Sequence, residues 1–157
     1  MIAPATEIDW LMAVMEAAFP PEYGEAWSRR QVCDALIVGN CHYGFIAADG
    51  TENPSETNPA AGFFMGRRIV DEEELLLFAI APAYRRQGLG HALLARFIAD
   101  AQGHGMKRIF LEMRRGNPAG FLYAAHGFRE IGIRPAYYRT PGGQRIDAVS
   151  HELTFED

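Results

Sequence analysis

The strongest constraint on the fold of this chain is the segment LLLFAIAPAYRRQGLGHALL, which runs from Leu75 to Leu94. Its uninterrupted apolar run predicts a strand covered on both faces, and Pro82 ends that strand. Apolar residues then recur at helical spacing. A tight turn between a strand and a helix gathers free backbone N–H groups where the helix dipole is positive. Because Gly88 and Gly90 also allow a ligand close to the backbone, this turn is suited to phosphate.

Two well-known phosphate-binding motifs do not match this turn. A Walker A loop needs Lys followed by Ser or Thr after its last glycine, but His91 and Ala92 follow here. A dinucleotide-binding fingerprint needs a third small residue, and Leu93 occupies that place. From the turn alone, a simple glycine-rich connection with solvated arginines remains an equal alternative.

The pattern along residues 1–157 predicts one α+β domain, with elements in the order ααβββαβαββ and a mixed sheet. We expect the second helix to begin after Ser28 as N-cap, and the short fourth helix to have Asn117 as N-cap and Pro118 at its first position. The acidic run at residues 71–74 is most simply a solvated turn. Alternatively, it forms an acidic rim that attracts a basic peptide N-terminus.

Composition excludes several classes of protein. The net charge of −5 argues against a nucleic-acid partner, because nucleic-acid-binding domains are usually basic, and it is compatible with a cationic partner. The five histidines lie far apart and Cys33 and Cys41 form no CxxC pair, so we expect reduced thiols and no metal. Neither a long apolar run nor a signal-peptide pattern is present, so we expect no membrane span and a cytoplasmic protein.

Three spaced blocks carry a resemblance to a known family. With the strand before it, RRQGLG matches the R/Q-x-x-G-x-G/A signature of the GNAT superfamily of N-acetyltransferases. The block IFLEMRRGNPAGFLYAAHGF resembles the LEVR, N, LY and GF block of that superfamily. IRPAYYRTPGGQRIDAV resembles the closing hairpin of its ribosomal-protein-alanine acetyltransferases, the RimI group. The resemblance extends from Glu74 to Leu153, about half of the chain.

This resemblance implies the GNAT fold. Its mixed, mostly antiparallel sheet of six to seven strands is flanked by about four helices and is splayed at its centre. Here the splay would lie between the strands LLLFAIA and RIFLEM.

The resemblance also implies acetyl-CoA as co-substrate. Its diphosphate would lie on the amides of residues 86–91, and its pantetheine arm would pair like a strand with residues 78–80. The two arginines would meet outer phosphate charge, and Asn117 would contact the pantetheine arm. The implied cofactor-binding residues are Phe78, Ala79, Ile80, Arg85, Arg86, Gln87, Gly88, Leu89, Gly90, His91 and Asn117.

For the chemistry, the resemblance implies direct attack of an amine on the thioester. Glu112 would act as general base and Tyr123 as general acid. The segment from Asn117 to Tyr123 is one residue shorter than in many members of the family. Tyr137 and Tyr138 would border the acceptor groove, although their simplest interpretation is as ordinary strand residues.

The acceptor has three interpretations. An N-terminal α-amine with a pKa of about 8 is roughly a tenth neutral at pH 7, against about 0.04% for lysine, so a single Glu more easily suffices for it. We therefore predict that the partner is a protein N-terminus, such as that of a ribosomal protein, and that the protein is a monomer or weak dimer. The alternatives are a small amine, such as a polyamine or aminoglycoside, and a catalytically silent acyl-CoA-binding domain.

Overall fold

The computed structural model describes residues 4–155. Its helices are α1 (Ala5–Ala18), α2 (Arg29–Val38), α3 (Leu89–Gly103) and α4 (Ala119–Ala125). Its strands are β1 (Cys41–Ala47), β2 (Ala60–Ile69), β3 (Glu72–Ile80), β4 (Arg108–Arg114), β5 (Arg129–Arg139) and β6 (Arg145–Thr154). Short 3-10 turns occupy Pro21–Tyr23 and Pro82–Tyr84. The order ααβββαβαββ is therefore confirmed.

The described strands form one mixed sheet in the spatial order β1-β2-β3-β4-β6-β5. All neighbouring pairs are antiparallel except β3 and β4, which are parallel. The parallel pair arises because α3 crosses over between β3 and β4, as parallel strands require. This sheet of six strands with four helices confirms the predicted α+β class.

The sheet is splayed at its centre, as predicted. β3 and β4 are paired only where Glu72–Glu74 lie beside Arg108–Phe110. Just beyond this point the register between β2 and β3 shifts: Gly66 pairs with Leu75 and Met65 with Leu77, so that Leu76 has no partner. A bulge of this kind bends its strand. The remainder of β3 therefore separates from β4 and leaves a gap in the middle of the sheet.

Apolar side chains cover both faces of the sheet. On one face, α1 and α2 contribute buried residues that pack on β1, β2 and β3: Ile8, Leu11, Met15, Val32, Leu36, Phe45, Phe63, Met65, Leu77 and Ala79. On the other face, α3 and α4 pack on β3 and β4 with a second set: Phe64, Leu75, Leu89, Leu93, Leu94, Phe97, Ile109, Leu111 and Tyr123. The two cores hold β3 rigidly between them.

Two helix starts show how local sequence sets the boundaries. Ser28 caps α2 and forms a reciprocal capping box with Gln31, as the sequence predicts. α4 begins at Ala119, one residue later than predicted, with Pro118 as its N-cap residue. The Asn117 side chain still accepts a hydrogen bond from the Ala119 amide at 3.0 Å, so it satisfies one of the free N–H groups at this helix start.

The interpretation of residues 71–74 as a solvated turn is wrong for three of the four residues. Glu72, Glu73 and Glu74 belong to β3, and each is paired with an arginine. Glu73 is fully buried and contacts both Arg68, at 3.1 Å, and His42, at 2.9 Å. Because these carboxylates already have partners, they do not form a free acidic rim.

Candidate active site

Two cavities lie along the gap between β3 and β4. The larger has a volume of about 660 Å³ and extends towards the glycine turn and α4. The smaller has a volume of about 320 Å³ and extends towards the segment between α1 and α2. Five residues line both cavities and so mark their junction: Phe19, Glu25, Phe78, Asn117 and Tyr123.

The glycine turn presents a row of free amides to the larger cavity. None of the amides of residues 86–91 donates a backbone hydrogen bond within residues 4–155, and the first amide of α3 that does so belongs to Ala92. No side chain caps this helix start. Gly88 and Arg86 adopt positive φ angles, 79° and 65°, which turn the backbone into the helix. The arrangement is a helix N-terminus whose free amides are suited to an anion.

Not every predicted residue of this turn faces the larger cavity with a free side chain. The Arg85 guanidinium donates to the Ile80 carbonyl at 3.0 Å and to the Ala18 carbonyl at 3.2 Å, and so ties α1 to the end of β3. Arg86, Gly88, Gly90 and His91 line the larger cavity. Two other predicted residues line neither cavity: Gln87 is exposed, and the Leu89 side chain is buried in the core.

Beyond Glu74, β3 has an unpaired edge on the side of β4. Phe78, Ala79 and Ile80 lie on this part of the strand and line the larger cavity. An extended ligand in the gap could therefore pair with the strand through main-chain hydrogen bonds. Asn117, which also lines the gap, lies across from this edge at the start of α4.

Tyr123 is enclosed at the junction of the two cavities. Its side chain is 6% exposed and packs against the rings of Phe78 and Phe128. Burial, and after it the negative charge of Glu25, raises the pKa of this phenol above its usual value. Its hydroxyl makes no hydrogen bond within residues 4–155, so it is a protonated donor with no partner of its own.

Glu112 lies on β4 and lines the smaller cavity. Its Oε2 atom accepts a hydrogen bond from the Ser150 hydroxyl at 3.2 Å and lies 3.2 Å from Nε of Arg134. Tyr138 lines the same cavity, and burial, then the charges of Glu112 and Glu25, raises its pKa to about 12. Tyr137 packs against Tyr138 but is half exposed and lines neither cavity.

The structure brings Glu25 and Arg114 into the site, and neither was predicted. Glu25 lies in the segment between α1 and α2, and it pairs with Arg114 of β4 at 3.1 Å. The Arg114 guanidinium also stacks on the Tyr23 ring at 3.6 Å. Sequence reasoning assigned the stretch FPPEYG only a helix-breaking role, and no local pattern indicates that this segment reaches β4.

Other polar groups near the site form no metal centre. The rings of His91 and His126 contact each other at 3.0 Å between α3 and α4, and burial, then the proximity of His91, lowers the pKa of His126. Within the part of the chain that the structure describes, no group of three or more His, Cys, Asp and Glu side chains is placed to hold a metal ion. Cys33 and Cys41 are free thiols.

No helix within residues 4–155 combines the length and apolar character needed to cross a bilayer.

Comparison with known proteins relates this arrangement to one family. Residues 8–128 match the family model described as acetyltransferase (GNAT) family. A [Ribosomal protein bS18]-alanine N-acetyltransferase of Haemophilus influenzae is 39% identical over 94 residues, and that of Escherichia coli K12 is 38% identical over 96 residues. Each match covers 60% of this chain and 64% of the relative, slightly less than two thirds of its length.

The similarity in structure extends over the whole chain. The crystal structure of the ribosomal-protein-S18-alanine N-acetyltransferase from Escherichia coli superposes with a TM-score of 0.79 at 28% sequence identity. The superposition covers 100% of this chain and 93% of that one. The two proteins therefore share the same overall fold.

Proposed function

Because this chain belongs to the acetyltransferase (GNAT) family, we propose that it transfers an acetyl group from acetyl-CoA to the N-terminal α-amine of a protein. The observation that carries the proposal is the row of free amides at residues 86–91, which lies beside the unpaired edge of β3. These two features provide binding for a diphosphate and for an extended amide-containing arm in one continuous cavity.

The residues of the larger cavity fit this co-substrate. The amides of residues 86–91 are free to receive the diphosphate, and Arg86 adds positive charge. A side chain at Gly90 would extend into the space between α3, Leu122 and Ile80, where its Cβ would lie 3.5 Å and 3.7 Å from them. Residues 78–80 would pair with the pantetheine arm, and Asn117 has its side-chain amide nitrogen free for the same arm. When bound, acetyl-CoA supplies the activated acetyl thioester.

We assign the proton transfers to Glu112 and Tyr123. The Glu112 carboxylate takes a proton from the acceptor ammonium, directly or through a water molecule, so that the amine has a free electron pair. The Tyr123 hydroxyl protonates the departing sulfur, and the second proton that the attacking nitrogen loses as the amide forms restores the hydroxyl. Its raised pKa keeps it protonated at neutral pH, and its lack of an internal partner leaves its hydrogen free to be donated.

The curated relatives support a protein N-terminus as the acceptor. The two relatives described above are named as [Ribosomal protein bS18]-alanine N-acetyltransferases. The family match over residues 8–128 includes both Glu112 and Tyr123. Tyr138 beside Glu112 gives the smaller cavity a wall that suits an extended peptide. A small amine would use the same acidic side chains, so the choice between them is made by experiment.

The test is an assay of thiol release with purified protein, acetyl-CoA and two kinds of acceptor. One is a peptide that copies a ribosomal-protein N-terminus beginning with alanine, and the other is a panel of polyamines and aminoglycosides. We expect the peptide to have the higher kcat/KM, with acetylation located at its α-amine by mass spectrometry. Higher kcat/KM for a small amine would replace the proposed acceptor. Tight binding of acetyl-CoA without transfer to any amine would overturn the activity itself.

A further inference from the structure

We propose that Glu25 binds the acceptor, and that its carboxylate receives the acceptor's ammonium group at the junction of the two cavities. The inference rests on the proposed function and narrows it, because it makes a positively charged amine, rather than a neutral nucleophile, the form that first binds. It also assigns a role in acceptor recognition to the segment between α1 and α2.

The position of Glu25 is the first argument. Of the five residues that line both cavities, Glu25 alone carries a charge at neutral pH; the others are two phenylalanines, Asn117 and Tyr123. The thioester must reach this junction from the larger cavity and the acceptor from the smaller one. A carboxylate at that point lies where the amine has to arrive.

The second argument is how Glu25 is held. Its side chain is 17% exposed, and Arg114, which is 11% exposed, contacts its Oε1 atom at 3.1 Å. Within residues 4–155 no hydrogen bond uses the other oxygen, Oε2. Arg114 is itself fixed against the Tyr23 ring. The pair therefore fixes the orientation of the Glu25 carboxylate and leaves one oxygen available for a further donor.

Tyr123 provides an independent observation that points to a ligand. Its side chain is more than nine-tenths buried, it lines the same junction, and its hydroxyl makes no hydrogen bond within residues 4–155. The residue lines both cavities, so this hydroxyl is available to a ligand there. An ammonium or amine group that donates to both Glu25 and the Tyr123 oxygen would satisfy the two unpaired groups at once.

Glu112 is placed differently. It also has one oxygen engaged, Oε2 with Ser150 and Arg134, but it lines only the smaller cavity, away from the junction that Glu25 occupies. A carboxylate next to an ammonium group stabilises the charged form and so opposes its deprotonation. We therefore assign binding to Glu25 and proton removal to Glu112. Removing the Glu25 charge should weaken acceptor binding without lowering turnover.

The experiment compares Glu25→Gln with Glu22→Gln, a matched change at an exposed residue of the same segment. For each protein, KM and kcat are measured with the alanine peptide, together with KM for acetyl-CoA. The inhibition constant of the des-amino peptide, which lacks only the α-amine, is measured as well. For Glu25→Gln we expect KM for the peptide to rise about tenfold, equivalent to about 1.4 kcal/mol. The other three quantities should stay within about twofold of the wild type.

Equal weakening of the peptide and of its des-amino analogue would show that Glu25 only maintains the fold, and would overturn the inference. An unchanged KM in an active Glu25→Gln enzyme would also overturn it, while leaving the proposed function intact. A wild-type enzyme that acetylates no amine would remove both. If Glu25→Gln fails to fold, the double variant Glu25→Gln, Arg114→Gln removes both charges together, and the same rise in KM is expected from it.

Discussion

The two ends of β3 differ in how their polar groups are satisfied. At its first end, Glu72, Glu73 and Glu74 pair with arginines, and the strand is bonded to β4. At its other end the strand edge is open, and within residues 4–155 the amides of residues 86–91 have no backbone acceptor and the Tyr123 hydroxyl makes no hydrogen bond. At the first end the carboxylates are paired within the protein, whereas at the other end unpaired groups line a cavity that a ligand can enter.

Two glutamates show that residue type alone does not distinguish a charge with a structural role from one available to a ligand. Glu73 is the more deeply buried carboxylate, yet both of its oxygens are used, by Arg68 and His42. Glu25 is slightly exposed and keeps one oxygen free. An unused acceptor on a residue that lines a cavity, rather than burial alone, therefore indicates where a ligand should bind.

The largest effect should come from the open end. We expect Tyr123→Phe to lower kcat by about 10²-fold or more, the usual size of a general acid's contribution, because sulfur then departs without a proton. The dissociation constant of acetyl-CoA, measured by calorimetry, should stay near the wild-type value. Tyr137→Phe is the control, since Tyr137 lines neither cavity. Normal turnover in Tyr123→Phe would remove the proposed acid.

Substitutions at the first end of β3, where the glutamates pair with arginines, should change stability and not activity. Glu73→Gln leaves Arg68 and His42 beside a neutral group in a buried position, so we expect the free energy of unfolding to fall by about 2 kcal/mol. Urea denaturation measures this change. Glu74→Gln, whose partner Arg67 is more exposed, should cost less than about 1 kcal/mol. Loss of acetyl-CoA binding in folded Glu73→Gln would contradict the division between the two ends.

A substitution at Gly90 tests whether acetyl-CoA binds beside the free amides of residues 86–91. We expect Gly90→Leu to raise KM for acetyl-CoA about tenfold, or about 1.4 kcal/mol, because its side chain extends into the cavity beside Leu122 and Ile80. Gly103→Leu, at the other end of α3 and with open space around it, is the control. Steady-state kinetics at saturating acceptor measures both. Equal KM values in the two variants would place the co-substrate elsewhere.

The smallest effect concerns how the free energy of unfolding depends on pH at Glu152 of β6. Hydrogen bonds from Arg129 and Arg108 lower the pKa of Glu152 below its ordinary value of about 4.5. Such a group stabilises the fold above its ordinary pKa, and the contribution disappears as the pH falls through the folded-state pKa. At pH 7 the free energy of unfolding of the wild type should exceed that of Glu152→Gln by less than about 1 kcal/mol, and near pH 2 the two values should be equal.

Urea titrations between pH 2 and pH 7 give this pH dependence. Glu130→Gln, at an exposed position on β5, is the matched control and should follow the wild-type curve throughout. A difference in free energy of unfolding between wild type and Glu152→Gln that stayed constant with pH would contradict this prediction, because it would not depend on the charge of Glu152.

Much of the fold could be predicted from the sequence because the signals are local. Ser28 with Gln31, and the glycine turn after Ile80, mark helix starts through their immediate neighbours. The uninterrupted apolar run that Pro82 ends predicts β3, and the tight turn between this strand and a helix predicts a site suited to phosphate. These features depend on spacing within about ten residues, which the sequence displays directly.

The remainder depends on contacts between distant segments. Glu25 and Arg114 are 89 positions apart, and nothing near either residue indicates their pairing. The burial of Glu73 depends on Arg68 and His42 from two other strands, so a run of acidic residues was interpreted as solvated. The bulge at Leu76 follows from how β2 pairs with β3, and a single strand does not reveal its register.

The free amides of residues 86–91 also affect how this protein could change over time. They belong to the main chain, so almost any side chain that preserves the bend keeps them in place. The smaller cavity, which we propose receives the acceptor, is instead lined by individual side chains such as Glu25, Glu112 and Tyr138. Substitutions there could redirect the enzyme to a new amine while its acetyl donor stayed the same, which makes this half of the gap the place to alter in engineering.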